Sequence, residues 1–180
     1  MGDTLSDLVV DLDVRVSDLG PSGHVSNVAY MRLLDEARSR LLGVNLQGPG
    51  RYEGGLLDAL GDRARLVIGQ HLVEFRREVW HPVHSLRVRM WIPVLGRSSL
   101  ALAAAIHEDG HTEPAVVAES SAVLVARDTG RPWPMDEATR EAFGRYHGPR
   151  PAFRDRVGAA DLPTGENAGQ AFRSQEETDQ

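Results

Sequence analysis

The chain contains no cysteine. That excludes disulfides, thiolate metal sites and a cysteine nucleophile, and it fits a reducing cytoplasm. No apolar run is long enough to cross a bilayer, so no membrane partner is expected. The start, MGDTLSDLVVDLD, has neither the basic head nor the uninterrupted apolar stretch of a secretory signal. Positive charge is in short supply as well: 20 basic against 26 acidic residues leave a net charge of −6. A nucleic-acid partner would need a basic face that this balance does not offer. What is present is ordinary for a globular protein, with 41% hydrophobic and 26% charged residues. At 180 residues the chain is long enough for one domain with a substantial core. These bounds describe a soluble, cytoplasmic, single-domain protein.

Residues 8 to 16, LVVDLDVRV, alternate. Leu8, Val10, Leu12, Val14 and Val16 share one face and Asp11, Asp13 and Arg15 the other, the pattern of a half-buried strand. A turn-like segment of small and polar residues follows, SDLGPSGHVSN. From Asn27 the period changes. Tyr30, Met31, Leu34, Ala37, Leu41 and Leu42 recur at helical spacing, with Ser26 or Asn27 as N-cap and Gly43 as the stop. A glycine-rich link, QGPGRYEGG, leads to a short helical piece near Leu56 to Leu60. Four strands are expected at about Ala64–Arg77, Leu86–Val94, Ser99–His107 and Ala115–Arg127. Their separators, HPVHS, PVLGRSS, EDGHTEP and RDTGRP, read as turns. PMDEATREAFGRY reads as a short helix capped by Asp136. Residues 148–180 are polar and read as a disordered tail on a domain of residues 1–147. One helix and a meander of antiparallel strands bury each other if the sheet curls around the helix, an α+β arrangement.

Asp18-Leu19, Gly23-His24-Val25, Asn27, Tyr30 and Glu36-Ala37-Arg38 resemble the first strand, turn and helix of hotdog-fold acyl-CoA thioesterases. The similar branch is the 4-hydroxybenzoyl-CoA thioesterase-like one, whose turn typically reads S-D-x-D-x-x-G-H-V-N-N before a helix ending E-A-R. Further on, EFRREVWHPVHSLRVRMWIPVLGRSS resembles that branch's central strands, and VLVARDTGRPWPM its closing strand and exit. The resemblance runs in register over roughly residues 8 to 145. It implies a hotdog fold, an antiparallel sheet wrapped around one long central helix. It implies homodimers made by joining two sheets edge to edge, or homotetramers, with active sites at the subunit interface. The implied substrate is a thioester on coenzyme A or on an acyl carrier protein. No metal or redox cofactor is expected.

The sequence departs from the family pattern where the chemistry is expected. The second Asp of the turn, the family's usual catalytic carboxylate, is here Gly20. Asp18 matches the first Asp, commonly a structural partner. Ser22 and Ser26 stand where relatives carry Asn, whereas His24 and Asn27 are retained. Thioester hydrolysis needs stabilisation of the charge growing on the carbonyl oxygen, and activation of water. Backbone amides at a helix start supply the first. Gly23 and His24 are the expected donors, each worth about 10²–10³ in rate. His24 is the expected base, since an imidazole accepts a proton at neutral pH. Asp18 would orient it, Asn27 would position water or the carbonyl, and Arg38 would lend positive charge if it faces inward. Gly20, Ser22 and Tyr30 are expected on the substrate-binding side. Arg97, Ser98 and Ser99, after a glycine at a strand junction, would hold a coenzyme A phosphate.

Each of these residues also has a plainer role. His24 can simply hold the turn, Asp18 can bond nearby amides and Asn27 can cap the helix. Gly20 and Gly23 are turn formers, Tyr30 can be core, and Arg97–Ser99 can be a solvated turn. His107-Glu108-Asp109-Gly110-His111 matches H-E-x-x-H. That metal motif works only on a helix, and Asp-Gly between two strand patterns signals a hairpin instead. His81 and His84 bracket a proline with no third ligand in view. The reading is therefore a thioesterase with altered catalytic machinery. Its rivals are a hotdog module that binds acyl-CoA or an acyl carrier protein without cleaving it, which Gly20 favours, and a hydratase-type hotdog. The latter's D-x-N-P-x-H turn is matched poorly by GPSGH.

Overall fold

Alternating strand patterns dominate the chain. The computed structural model, which describes residues 8–43 and 55–154, folds them into one antiparallel sheet against one helix. β1 spans Leu8–Asp13, α1 Asn27–Leu42, β2 Ala64–Phe75, β3 Ser85–Leu95, β4 Ser99–Glu108, β5 Val116–Ala126 and α2 Glu137–Gly144. Short 3-10 turns occupy Val16–Asp18 and Leu56–Leu60. The strand order is β1-β3-β4-β5-β2, so β1 and β2 are the edges. Among the described residues no helix is long and apolar enough to cross a membrane.

One face of the sheet carries the core. Leu86, Val88, Met90 and Ile92 of β3 are buried at alternate positions, as are Leu102, Ala104 and Ile106 of β4 and Val116, Ala118, Ala122 and Leu124 of β5. They pack with Ala29, Tyr30, Leu33, Leu34 and Ala37 of α1. Arg87 and Arg89, in the intervening positions of β3, are exposed. Of the two candidate caps Ser26 is the one used: its Oγ accepts from Ala29 N at 3.2 Å, which contributes about 1 kcal/mol. The helix stops at Gly43, whose φ of +80° suits a residue without Cβ. The central helix is therefore short, 16 residues, rather than long.

The first strand is shorter than its alternation predicts. Val14 still donates to His84 O at 2.9 Å, but Leu19 N then bonds Val16 O at 3.2 Å and winds the chain into a turn. The Asp18 carboxylate fixes that turn by accepting from Arg15 N at 2.8 Å. Val16, expected on the buried face, is 83% exposed as a result. The other four strands lie within two residues of their predicted bounds. Asp136 caps α2, its Oδ1 accepting from Thr139 N at 2.9 Å. Of the tail expected from residue 148, the first part lies on the outer face of the sheet. Trp91 Nε1 donates to Pro149 O at 2.6 Å, and Arg154 N donates to Glu74 Oε2 at 2.6 Å. The rest of that tail, and the glycine-rich link up to residue 54, lie outside the described residues.

Candidate active site

The loop from β1 to α1 is pinned by its own backbone. Gly20 N donates to His24 O at 2.8 Å, Gly23 N to Gly20 O at 3.0 Å, Val25 N to Val79 O at 2.9 Å and His81 N to Gly23 O at 3.1 Å. Gly23 sits at φ +90°, where a side chain would be strained. Its amide, expected to be a free donor, is instead engaged in closing the turn. The N–H groups of His24, Asn27 and Val28 have no acceptor among the described residues. The last two belong to the first turn of α1, where donors cannot be paired within the helix and the dipole is positive. Of the two expected donors, the His24 amide is thus free among the described residues and the Gly23 amide is not, while two further free donors lie at the start of α1.

Asp18 does not orient His24. It is only 4% exposed, and Arg32 Nε and Nη2 donate to its two oxygens at 3.0 and 2.6 Å. Burial pushes the Asp18 carboxyl up, but the Arg32 hydrogen bonds and the Arg15 amide outweigh it and hold its pKa below the ordinary carboxylate value. This bidentate pair ties the loop to α1. His24 has another neighbour: its Nδ1 lies 2.8 Å from Ser22 Oγ. The imidazole also stands edge-on to Trp80, with ring centroids 5.4 Å apart. A Cβ at position 20 would lie 4.0 Å from His24 Nε2 and 3.6 Å from His24 O, both ordinary contacts. A side chain there would face that nitrogen, and Gly20 leaves the approach to it clear.

The remaining expected site residues are dispersed. Tyr30 is 2% exposed beneath Phe75, ring centroids 5.8 Å apart, and its hydroxyl has no partner among the described residues. Burial pushes the Tyr30 phenol up to about 12, so it serves as wall and not as a proton carrier near neutral pH. Arg38 lies eleven residues beyond Asn27 on α1, about 16 Å by helix rise, and so does not serve the His24 end within one chain. Its guanidinium pairs with Asp35, and burial lowers its pKa. Burial first, and then the charge of Arg38, lower the pKa of His71 on β2. His71 Nδ1 lies 2.8 Å from Ser120 Oγ on β5. Arg97, Ser98 and Ser99 turn the chain from β3 into β4 at the end of the sheet remote from His24. β3 runs from Ser85, paired with Asp13, to Leu95, a span of about 33 Å. There Arg97 O accepts from Met135 N at 2.9 Å and Ser98 O from Leu124 N at 2.8 Å.

His107–His111 forms the expected hairpin, with Gly110 at φ +79°. Among the described residues no three His, Asp or Glu side chains are grouped to hold a metal. Sequence reasoning missed Arg32 as the partner of Asp18, Trp80 beside His24, and the His71–Ser120 pair. The pair did leave a signal, because Ser120 is the only polar member of the helix-facing row Val116, Ala118, Ser120, Ala122 and Leu124. Nothing in the sequence marks Trp80.

A five-stranded antiparallel sheet laid on a helix, with a glycine-rich turn at that helix's start, defines a hotdog-fold protein. The chain belongs to the thioesterase-like superfamily, whose sequence profile matches residues 14–143. No curated protein matches it in sequence. Among solved structures it resembles a predicted thioesterase from Bacillus stearothermophilus, at 20% identity and a TM-score of 0.64 over 81% of this chain and 100% of that one. It also resembles a Thermus thermophilus thioesterase complexed with coenzyme A and Zn, at 28% identity and a TM-score of 0.57 over 80% and 96% of the two chains. A third similar structure is the 12:0-ACP thioesterase from Umbellularia californica, at 16% identity and a TM-score of 0.62 over 86% and 61%.

Proposed function

We propose that the protein hydrolyses a thioester of coenzyme A or of an acyl carrier protein at the β1–α1 turn, with His24 as the base. The observation that carries this reading is the contact at position 20. A side chain there would sit against His24 Nε2, so the family's carboxylate and this imidazole address the same place. A water beside Gly20 would give its proton to His24 Nε2 as its oxygen attacks the thioester carbon. The carbonyl oxygen takes up the electron pair, and the amides of Asn27 and Val28 stabilise it at the positive end of α1. The intermediate then re-forms the carbonyl, the carbon–sulfur bond breaks, and the proton on His24 passes to the departing thiolate. Ser22 holds the ring through Nδ1, the orienting role that Asp18 does not fill. Trp80, 52% exposed beside the ring, offers a flat apolar surface to the substrate.

The coenzyme-binding role of Arg97, Ser98 and Ser99 requires a second copy of the chain. β2 is an edge strand with Val67 and Leu72 exposed at 39% and 41%, and an unpaired apolar edge invites another strand. Two β2 strands paired antiparallel would carry the 96–99 turn of one copy towards the His24 end of the other. The reading thus includes a homodimer, without metal or redox cofactor.

A non-catalytic acyl-thioester binder is the second reading. It is favoured by Gly20 together with the engagement of Asp18 by Arg32, which leave neither turn position with a carboxylate for the imidazole. Thiol release from a panel of acyl-CoAs decides between them. Turnover that is lost in His24→Ala supports hydrolysis. Calorimetric binding of acyl-CoA without thiol release on any chain length supports the binder.

A further inference from the structure

Beside the C-terminal half of α1 lies a cavity of about 220 Å³, remote from His24. Its walls are Leu57, Leu60 and Leu66, with Arg38 also lining it and Arg65 and Arg127 exposed at its rim. Burying a guanidinium such as that of Arg38 is costly unless it meets complementary groups, because a buried cation loses hydration that apolar neighbours cannot replace. The Arg38 side chain is 11% exposed, and the acid it pairs with, Asp35, is 70% exposed on the solvent side of the helix. The cavity therefore has one largely buried guanidinium, that of Arg38, at the end of an apolar pocket, with its paired acid on the outside.

The helix-facing row of β2 connects this cavity with the turn. Leu66 and Ile68 line the cavity, and after the irregularity between Ile68 and Gln70 the row continues as His71, Val73 and Phe75. Phe75 touches Tyr30, in the first turn of α1. Midway, His71 and Ser120 add a hydrogen-bonded polar pair within reach of the charge on Arg38. We infer that this cavity binds the carboxylate of a long apolar acid, with the Arg38 guanidinium as its anchor. A guanidinium fork matches two carboxylate oxygens, and Leu57, Leu60 and Leu66 match the chain behind them. The carboxylate has two possible sources, a free long-chain acid or the far end of the acyl group itself. The inference rests on the thioesterase reading only for the second source. In that case the substrate is the monothioester of a dicarboxylic acid, with its free end about 16 Å from the first turn of α1.

Calorimetry on the full chain with dodecanoate, and with dodecanol as the uncharged control, tests the site. Dodecanoate is expected to bind at least about tenfold tighter than dodecanol, and Arg38→Met is expected to remove that advantage. Equal affinities in the wild type, or an advantage that survives Arg38→Met, overturn the site. Should Arg38→Met fail to fold, Ser39→Trp replaces it: Ser39 lines the cavity from the helix surface, and the indole should abolish dodecanoate binding. The source is read from kcat/KM for dodecanedioyl-CoA over dodecanoyl-CoA. A ratio of about ten or more in the wild type that falls towards one in Arg38→Met supports the acyl end. A ratio of one with dodecanoate binding intact overturns that assignment and supports the free acid. Intact dodecanoate binding without turnover of any thioester supports the cavity and overturns the thioesterase reading instead.

Discussion

Removing the His24 imidazole while keeping its shape is the sharpest perturbation of the proposed chemistry. Gln at this position retains an amide for the Ser22 hydroxyl, now 2.8 Å from Nδ1, but it cannot take a proton from water. A positioned base is worth about 10²–10⁴ in rate, so His24→Gln should cost about 2.7–5.4 kcal/mol of transition-state stabilisation. The loss should fall on kcat and leave KM nearly unchanged, because on the proposed reading the helix-start amides and the apolar walls would still hold the substrate. Gly20→Asp supplies the complementary test. Its Cβ would meet only His24 O at 3.6 Å and Nε2 at 4.0 Å, distances the fold accepts without movement. In the His24→Gln background the new carboxylate stands where the imidazole nitrogen worked, and it should recover kcat by at least about tenfold. The assay is thiol release at saturating acyl-CoA, with melting temperatures showing that both variants fold. A His24→Gln enzyme that keeps kcat within about twofold would refute His24 as the base. A double variant that recovers nothing would refute the claim that positions 20 and 24 address one water.

Three further outcomes follow from packing and electrostatics. The pKa of Asp18 is lower folded than unfolded, so its ionisation stabilises the fold above the unfolded value, about 3.9, and that contribution fades as pH falls towards the folded pKa. Wild type should therefore lose more melting temperature between pH 7 and pH 3 than Asp18→Asn does, and parallel acid profiles would contradict the pairing with Arg32. At Gly148 an added Cβ would lie 2.6 Å from Trp91 Cδ1, so Gly148→Ala should cost about 1–3 kcal/mol by chemical denaturation, and a neutral result would mean that the crossing over Trp91 is not populated. The unpartnered buried hydroxyl of Tyr30 predicts that Tyr30→Phe is neutral or stabilising by up to about 1 kcal/mol, and a clear loss in the same measurement would reveal a partner for that oxygen.

Legibility in the sequence tracked the range of the forces involved. Strands β2 to β5 and both helices were readable because alternation, caps and turn residues are local, and Ser26 and Asp136 cap where their positions suggest. Val16 was misplaced because a tertiary contact decided its fate. Arg32 engages Asp18 across 14 residues, and the Asp18 carboxylate then captures the Arg15 amide and bends the strand away from its own alternation. The same bond explains why Asp18 cannot serve His24. Its two oxygens are committed to a guanidinium, and no spacing rule reveals which basic residue, among many on the following helix, reaches back. Arg38 was singled out for a chemistry about 16 Å from where it stands, because helical periodicity fixes the face of a residue and not what that face meets. The cavity it lines is made by Leu57 and Leu60 from one segment and Leu66 from another, and such convergence exists only after folding. If the protein is a thioesterase and that cavity holds a carboxylate, substrate choice and the chemistry of the turn are separate properties of one helix. Its first turn would act on any thioester, and its last turns would choose which acyl group arrives.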